Sequence, residues 1–334
     1  NVSQFSVILS SRTDELILAS LPFFHSFGCT VTLWYPLIEG VQIVTYPNPL
    51  EAGKIAALVQ RYGATVMFAT PTFLRAYLRK AELEQLHSLR LVITGAEKLP
   101  ADIATAFAER FGKPVYEGYG LTETSPVVSV NLPDPVPQVA GVSVQPSSRA
   151  GSTGKMAPGI AAEIRHPETD EKLTLHETGM LWLRGANIFD GYLDDPARSA
   201  EVLRDGWFKT GDLGRFDEDG FLFIEGRLSR FSKIGGEMIP HEMIEQKILE
   251  VLRLNVGAER VIAIMGVPDE AKGEAIVLLS SIEIDLQQLR AALRAAEVPN
   301  LWVPRTIRRV EAIPVLASGK LDLGQCKQLA ASAD

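Results

Sequence analysis

Short apolar runs alternate with segments of helical repeat along the first third of the chain. ELILASL, VQIVTY, ATVMFAT, LRLVITG and KPVYEGY are rich in branched side chains and of strand length. Between the last two lies PADIATAFAERFG, where Ile103, Ala104, Phe107, Ala108 and Phe111 share one helical face and Gly112 is a natural stop. Strand, helix, strand at this spacing predicts an α/β fold with a mostly parallel sheet. Ligands of such sheets bind beyond the carboxyl ends of the strands. LPFFHSFG, ATPTF, TGAEK and GYGLTE all follow predicted strands, so they are expected to gather on one edge. YEGYGLTETSP then sits in a shared pocket. Its glycines suit a close approach of backbone to ligand, and its Thr and Glu offer a hydroxyl and a carboxylate.

The texture changes further on. Residues 131–150, rich in Pro, Ser and Val, read as a surface connection. AAEIRHP, GMLWLRG and GFLFIEG, separated by Gly and Asp turns, predict a β-rich subdomain over 151–226. After GRLSRFSK, the segments MIPHEMIEQKILEV and DLQQLRAALRAA read as helices, and RVIAIMGV and EAIVLLSSI as strands. The expected organisation is a large domain over 1–226, with an α/β subdomain at 1–130, and a small α+β domain over 227–334. Leu16 to Ile38 contains no Asp, Glu, Lys or Arg and is long enough to cross a bilayer. Pro22, His25, Gly28 and Pro36 break it into a strand, a turn and a helix, so it reads as buried core and no transmembrane segment is expected.

Composition narrows the function classes. A chain of 334 residues, 46% apolar and 22% charged, has the make-up of a globular protein. A net charge of −8 argues against non-specific attraction to nucleic acid or anionic lipid. Cys29 and Cys326 are too far apart in sequence for a disulfide framework or a metal-ligand cluster, and a cytoplasmic location is the default. The chain opens with neither Met nor a signal peptide, which suggests a piece of a larger protein. GSTGK lacks the first Gly of a phosphate loop, and Lys155 is followed by Met156 rather than Ser or Thr. EGYGLTE has Glu123 where a dinucleotide fingerprint has its third Gly. There is no H-E-x-x-H and no G-x-S-x-G, so zinc-protease and serine-hydrolase readings fade.

What remains is a set of motifs in fixed order. LPFFHSFG, TGAEKLP, YEGYGLTE, GYLDDPARSAEVLRDGWFKTGDLGRFDEDGFLFIEGR, KIGGE and PVLASGKLD resemble successive signatures of the acyl-adenylate-forming enzymes, the superfamily of acyl-CoA synthetases, luciferases and peptide-synthetase adenylation domains. The resemblance covers nearly the whole chain. GRLSRFSKIGGEMIPHEMIEQ, KGEAIVL, VPNLWVPRTIRRVEAIP and SGKLD look like the acyl-acyl carrier protein synthetase part of the bifunctional 2-acylglycerophosphoethanolamine acyltransferase family. In that family an acyltransferase domain with a His-x-x-x-x-Asp motif precedes the synthetase, and no His here has Asp at that spacing. The Thr-, Ser- and Gly-rich phosphate loop that the family carries upstream of the first strand is also not found in this chain. The resemblance therefore implies an N-terminally truncated piece, weakly active or inactive by itself. The expected lysophospholipid partner belongs to the missing acyltransferase domain. A parent at the inner membrane of a bacterium is compatible with this, with the present piece cytoplasmic.

The resemblance implies a role for each matching residue. Tyr119 would lie on the adenine face, with Gly95, Ala96 and Gly120 lining the site, although Tyr119 also reads as core packing. Thr122 would donate to the α-phosphate, and Glu123 would hold Mg²⁺, a hard cation that prefers oxygen ligands, with a surface Glu as the alternative. Asp212 would accept both ribose hydroxyls, and Arg227 would contact the ribose or phosphate edge; a plain turn and a surface Arg are the alternatives. Lys320 would meet the charge developing on phosphorus, and a solvated terminal Lys is its alternative. His25 would gate the route between the adenylate and thiol sites, or is a core histidine. Lys233, Gly235 and Gly236 would approach a phosphopantetheine arm.

The implied reaction joins ATP, a fatty acid and a thiol, that of acyl carrier protein or CoA. The carboxylate attacks the α-phosphorus, pyrophosphate leaves, the small C-terminal domain turns, and the thiol takes the acyl group. Most members carry Asp or Lys two residues after the GR arginine, whereas Ser229, followed by Arg230, stands here. Arg227, Arg230 and Lys233, with Arg305, Arg308 and Arg309, form basic clusters, some of which would suit an acidic carrier protein, with scattered surface charges as the alternative. A long-chain acyl-CoA ligase is the nearest alternative, and a non-catalytic adenylate-binding or scaffold remnant is an alternative of another class.

Overall fold

The computed structural model describes residues 1–9, 14–135, 144–254, 260–269, 273–315 and 321–332. Within them the chain divides into two compact units. One comprises Asn1–Thr210 and Gly214–Ile224, the other Gly211–Leu213 and Glu225–Asp334.

In the first unit, β1 (Leu16–Ala19), β2 (Gln42–Thr45), β3 (Val66–Ala69), β4 (Leu91–Thr94) and β5 (Val115–Gly120) pair in parallel in the order β2-β1-β3-β4-β5. β6 (Val127–Val130) and β7 (Lys155–Met156) extend this sheet antiparallel beyond β5. Every residue of β3 and β4 is buried, which is the signature of a sheet covered on both faces. The strand period sorts their side chains. Val66, Phe68, Leu91 and Ile93 face a cluster with Phe5, Val31 and Tyr35, while Met67, Ala69 and Val92 face one with Ile55, Leu74 and Phe107. Helices Ala52–Tyr62, Pro71–Lys80 and Ala101–Phe111 supply the second cluster, and the last of them stops at Gly112.

The uncharged stretch from Leu16 to Ile38 resolves into β1, a short turn and a helical run. That run comprises Ser26–Gly28, a π-helical Cys29–Trp34 and Tyr35–Glu39. Among the described residues no helix is long and apolar enough to cross a membrane. A second sheet contains β8 (Ile160–Arg165), β9 (Gly179–Gly185), β10 (Leu203–Arg204), β11 (Trp207–Phe216) and β12 (Leu222–Arg227), in the order β10-β11-β9-β8 with β12 on β11. The GSTGK segment leads into β7, at the edge of the first sheet.

In the second unit, β13 (Phe231–Ile234) and β14 (Glu237–Pro240) form a hairpin. β15 (Ile262–Asp269), β16 (Gly273–Ser280) and β17 (Thr306–Arg309) form a sheet in which β15 and β16 are antiparallel and β16 and β17 parallel. Helices His241–Val251 and Leu286–Ala295 bury Ile244, Ile248, Leu289 and Leu293 against Ile262, Ile264 and Leu278. Helix Leu323–Ala331 packs Cys326 and Ala330 on the opposite face, against Ala263, Met265, Val277 and Leu279.

Candidate functional site

Four loops leave the carboxyl ends of adjacent parallel strands, so the topology of the first unit collects them on one sheet edge. The loop after β5 is the most tightly held. Residues Thr122–Thr124 make one 3₁₀ turn, in which the buried Thr124 hydroxyl accepts from Leu121 N–H at 3.0 Å and donates to Pro126 O at 2.5 Å. Pro126 O also accepts from Leu121 N–H at 3.1 Å. With Thr124 turned inward, Thr122 is left exposed and Glu123 half-buried.

The glycines of this loop serve a purpose different from the one their pattern suggests. A Cβ on Gly120 would run into the Pro126 carbonyl, and one on Gly118 would lie 3.2 Å from Ser129 O. Their smallness is consumed by the close passage of β6. Gly95 sits against Gly118 O and the Phe27 ring, and Ala96 adopts φ of 68°, in the left-handed region that non-glycine residues rarely occupy. The Tyr119 ring is half-buried and packs on the cluster of Val128, Ile164, Leu181, Leu183 and Leu222.

The β1 and β5 loops touch through hydroxyls, with Ser26 Oγ 3.2 Å from Thr122 Oγ1. His25, one residue before Ser26, accepts the Phe27 N–H on Nδ1 at 3.2 Å and so caps the helical run. The structure therefore brings His25, Thr122 and Glu123 to one edge. Glu123 Oε1 accepts from the Tyr192 hydroxyl at 2.9 Å. Glu117, on β5, is buried and accepts Leu99 N–H at 3.0 Å, tying the β4 loop to the β5 strand. Burial pushes its carboxyl up to about 7, against the opposing pull of the Leu99 N–H and the Lys98 ammonium. Sequence reasoning passed over Ser26, Glu117 and Tyr192, although each lies in or beside a quoted motif.

In the second unit, the buried Asp212 pairs through Oδ1 with Arg227 Nε at 3.1 Å. Gly235 and Gly236 take φ of 58° and 90° and close the two-residue turn between β13 and β14, the conformation that such hairpins demand. Lys233, exposed, donates its backbone N–H to Glu274 Oε2 at 2.6 Å. Arg230 is not a docking charge: it is only 4% exposed, 2.5 Å from Glu245 Oε1, and donates to Ile264 O at 3.0 Å. Burial without a partner would be prohibitive for a guanidinium, so the pairing explains its place. Arg305 is paired with Asp269, and Arg308 and Arg309 lie on β17. Lys320 falls outside the described residues.

Among the described residues no group of three or more His, Cys, Asp and Glu is placed to hold a metal ion. The half-buried Glu123 carboxylate suits a cation that completes its shell with phosphate oxygens and water, which is how Mg²⁺ is usually held.

A family model described as AMP-binding enzyme matches residues 1–193. The chain is similar to a long-chain-fatty-acid–CoA ligase of Bacillus subtilis, with 31% identity over 315 residues, 92% of this chain and 53% of that protein. A feruloyl-CoA synthase from an Amycolatopsis species is 29% identical over 326 residues, 95% of this chain and 62% of that protein. Among solved structures, ATP-bound MatB from Rhodopseudomonas palustris matches with a TM-score of 0.80 at 26% identity, over 98% of this chain and 62% of that one. Bacillus subtilis MenE with the acyl-adenylate OSB-AMP has a TM-score of 0.81 at 23% identity, over 98% of this chain and 63% of that one, a likeness of fold. The chain spans about half the length of the curated relatives it matches.

Proposed function

The chain belongs to the AMP-binding enzyme family, and from that membership we propose that it carries out part of an AMP-forming acid–thiol ligation. ATP activates a carboxylic acid as its adenylate, and a thiol then takes the acyl group. The observation that carries this reading is the meeting of the β1 and β5 loops at Ser26 and Thr122, which presents hydroxyls beside Glu123 on the ligand edge of the sheet.

A carboxylate is a poor electrophile until AMP is attached, and catalysis then rests on positioning and charge stabilisation. Thr122 donates to the α-phosphate, and Glu123 holds the Mg²⁺ that, when bound, neutralises phosphate charge. Gly95, Ala96 and Tyr119 line the nucleobase. Asp212 accepts the ribose hydroxyls, oriented by Arg227 at 3.1 Å. Lys320 supplies positive charge to the adenylation step, and His25 gates the thiol route. The turn Lys233, Gly235 and Gly236 admits the phosphopantetheine arm. Residues 227–334 act as the small mobile domain, and 1–226 as part of the large one.

The acid is a fatty acid in this reading, in keeping with the named relative from Bacillus subtilis. Two acceptors are distinguished by different observations. The GGEM and VPR segments favour acyl carrier protein, within a parent that reacylates lysophospholipid, while the relatives named CoA ligases favour CoA. Cytoplasmic location belongs to the same proposal.

The test follows ATP–pyrophosphate exchange and thioester formation with fatty acids, offering CoA and carrier protein separately. Lys320→Ala is expected to abolish exchange and to spare thioester formation from premade acyl-adenylate. Both measurements are made in the full-length parent, where equal loss of both half-reactions would refute the role of Lys320 and no exchange by the wild-type parent would refute the ligase.

A further inference from the structure

Glu123 is held by more than its own turn. The segment from Asn187 to Ser199, which follows β9, meets the β5 loop through side chains and backbone together. Asn187 Nδ2 donates to Thr124 O at 2.7 Å, and its own carbonyl accepts from Ser125 Oγ at 3.0 Å. Phe189 N–H donates to Glu123 O at 3.0 Å, which fixes the backbone of the acidic residue. The Tyr192 hydroxyl, donating to Oε1 at 2.9 Å, fixes its side chain.

Tyr192 is itself well supported. Its N–H donates to Ser199 Oγ at 2.8 Å. Its ring lies 4.9 Å from that of Phe189, edge to face, with the Arg198 guanidinium 4.2 Å over it. A glutamate has long-chain rotamer freedom that must be lost before it can share a cation with phosphate oxygens. A phenol held from both sides removes that freedom in advance, and loss of a group that orients a metal-ligating residue typically costs about 10- to 100-fold in metal affinity.

We propose that Tyr192 is a positioning residue for Glu123, and through it for the Mg²⁺ that accompanies ATP. This rests on the adenylation reading given above. Tyr192 touches neither nucleotide nor ion in this scheme; it acts by holding one oxygen of the carboxylate, so that the carboxylate meets the ion in a single orientation. A tie between the two sheets is the competing explanation, and it predicts lost packing rather than altered metal response.

Tyr192→Phe separates the two, because it keeps the ring between Phe189 and Arg198 and removes only the hydroxyl. The experiment is equilibrium binding of ATP by the protein as Mg²⁺ is varied, with AMP binding and thermal melting measured beside it. The variant is expected to raise the Mg²⁺ concentration for half-maximal ATP binding by about tenfold, with AMP affinity changed by less than about twofold. Glu123→Gln is expected to abolish the Mg²⁺ response, and adding Tyr192→Phe to it is expected to change nothing further. A Tyr192→Phe protein with the wild-type Mg²⁺ response overturns the proposal, and so does one that loses ATP and AMP affinity equally. A wild-type protein whose ATP binding ignores Mg²⁺ overturns the adenylation reading together with it.

Discussion

Replacing Glu117 by Gln is expected to make the protein more stable above neutral pH and to have little effect at acid pH. The Glu117 carboxyl is buried, and its value rises from the ordinary 4.5 to about 7. A raised carboxyl value means that the folded state favours the protonated form. The stabilisation is therefore complete below about pH 4.5 and is lost as pH climbs through about 7, where the ionised group has to be kept in a dry site. At about 1.4 kcal/mol per pH unit, the rise corresponds to about 3 kcal/mol between acid and mildly alkaline conditions. Gln retains an acceptor for the Leu99 N–H, so the bond at 3.0 Å between the β4 loop and β5 survives the change. The assay is urea unfolding of both proteins across this pH range. The stability difference between variant and wild type should open in favour of the variant as pH rises, by up to about 3 kcal/mol. A difference that stays constant from about pH 5 to about pH 8 would refute the buried-carboxyl argument.

Further substitutions probe the parts that hold the loops and the second unit. Arg230→Ala leaves Glu245 with the half-exposed Arg260, at 3.0 Å, and the Ile264 N–H. A loss of about 3 kcal/mol is expected in urea unfolding of the second unit, and unchanged stability would mean the pair is dispensable. Gly120→Ala drives a methyl into the Pro126 carbonyl and is expected to cost about 2 kcal/mol by displacing β6, read as a lowered melting temperature. A wild-type melting temperature would show that β6 yields freely.

The sheet was legible because buried parallel strands and the helix Ala101–Phe111 write their periods directly into the sequence. The gathering of the loops on one edge was legible for a related reason, since adjacent parallel strands must end on one side. What stayed hidden depends on contacts between distant segments. Gly118 and Gly120 invite a ligand by composition, but the space beside them is filled by Pro126 and Ser129 of the returning chain. Arg230 reads as a surface charge until Glu245 and Ile264 are found around it. Glu117 looks like one polar position within a strand, and nothing local announces that the Leu99 N–H points at it. Tyr192 stands in the quoted run GYLDDP, yet its partner Glu123 is far away in the sequence.

The Arg230 pairing also fixes one point of the backbone. From residue 230 onward the backbone is riveted to helix His241–Val251 through Glu245 and to β15 through Ile264 O. Immediately before it, Arg227 and Ser229 are exposed, and Gly226 has φ of 148°, a conformation open to few other residues. A change of backbone angle at residue 230 would have to break this buried pair, so position 230 is a fixed point at the start of the second unit's own packing. Ser229, small and exposed, stands directly before this anchored position.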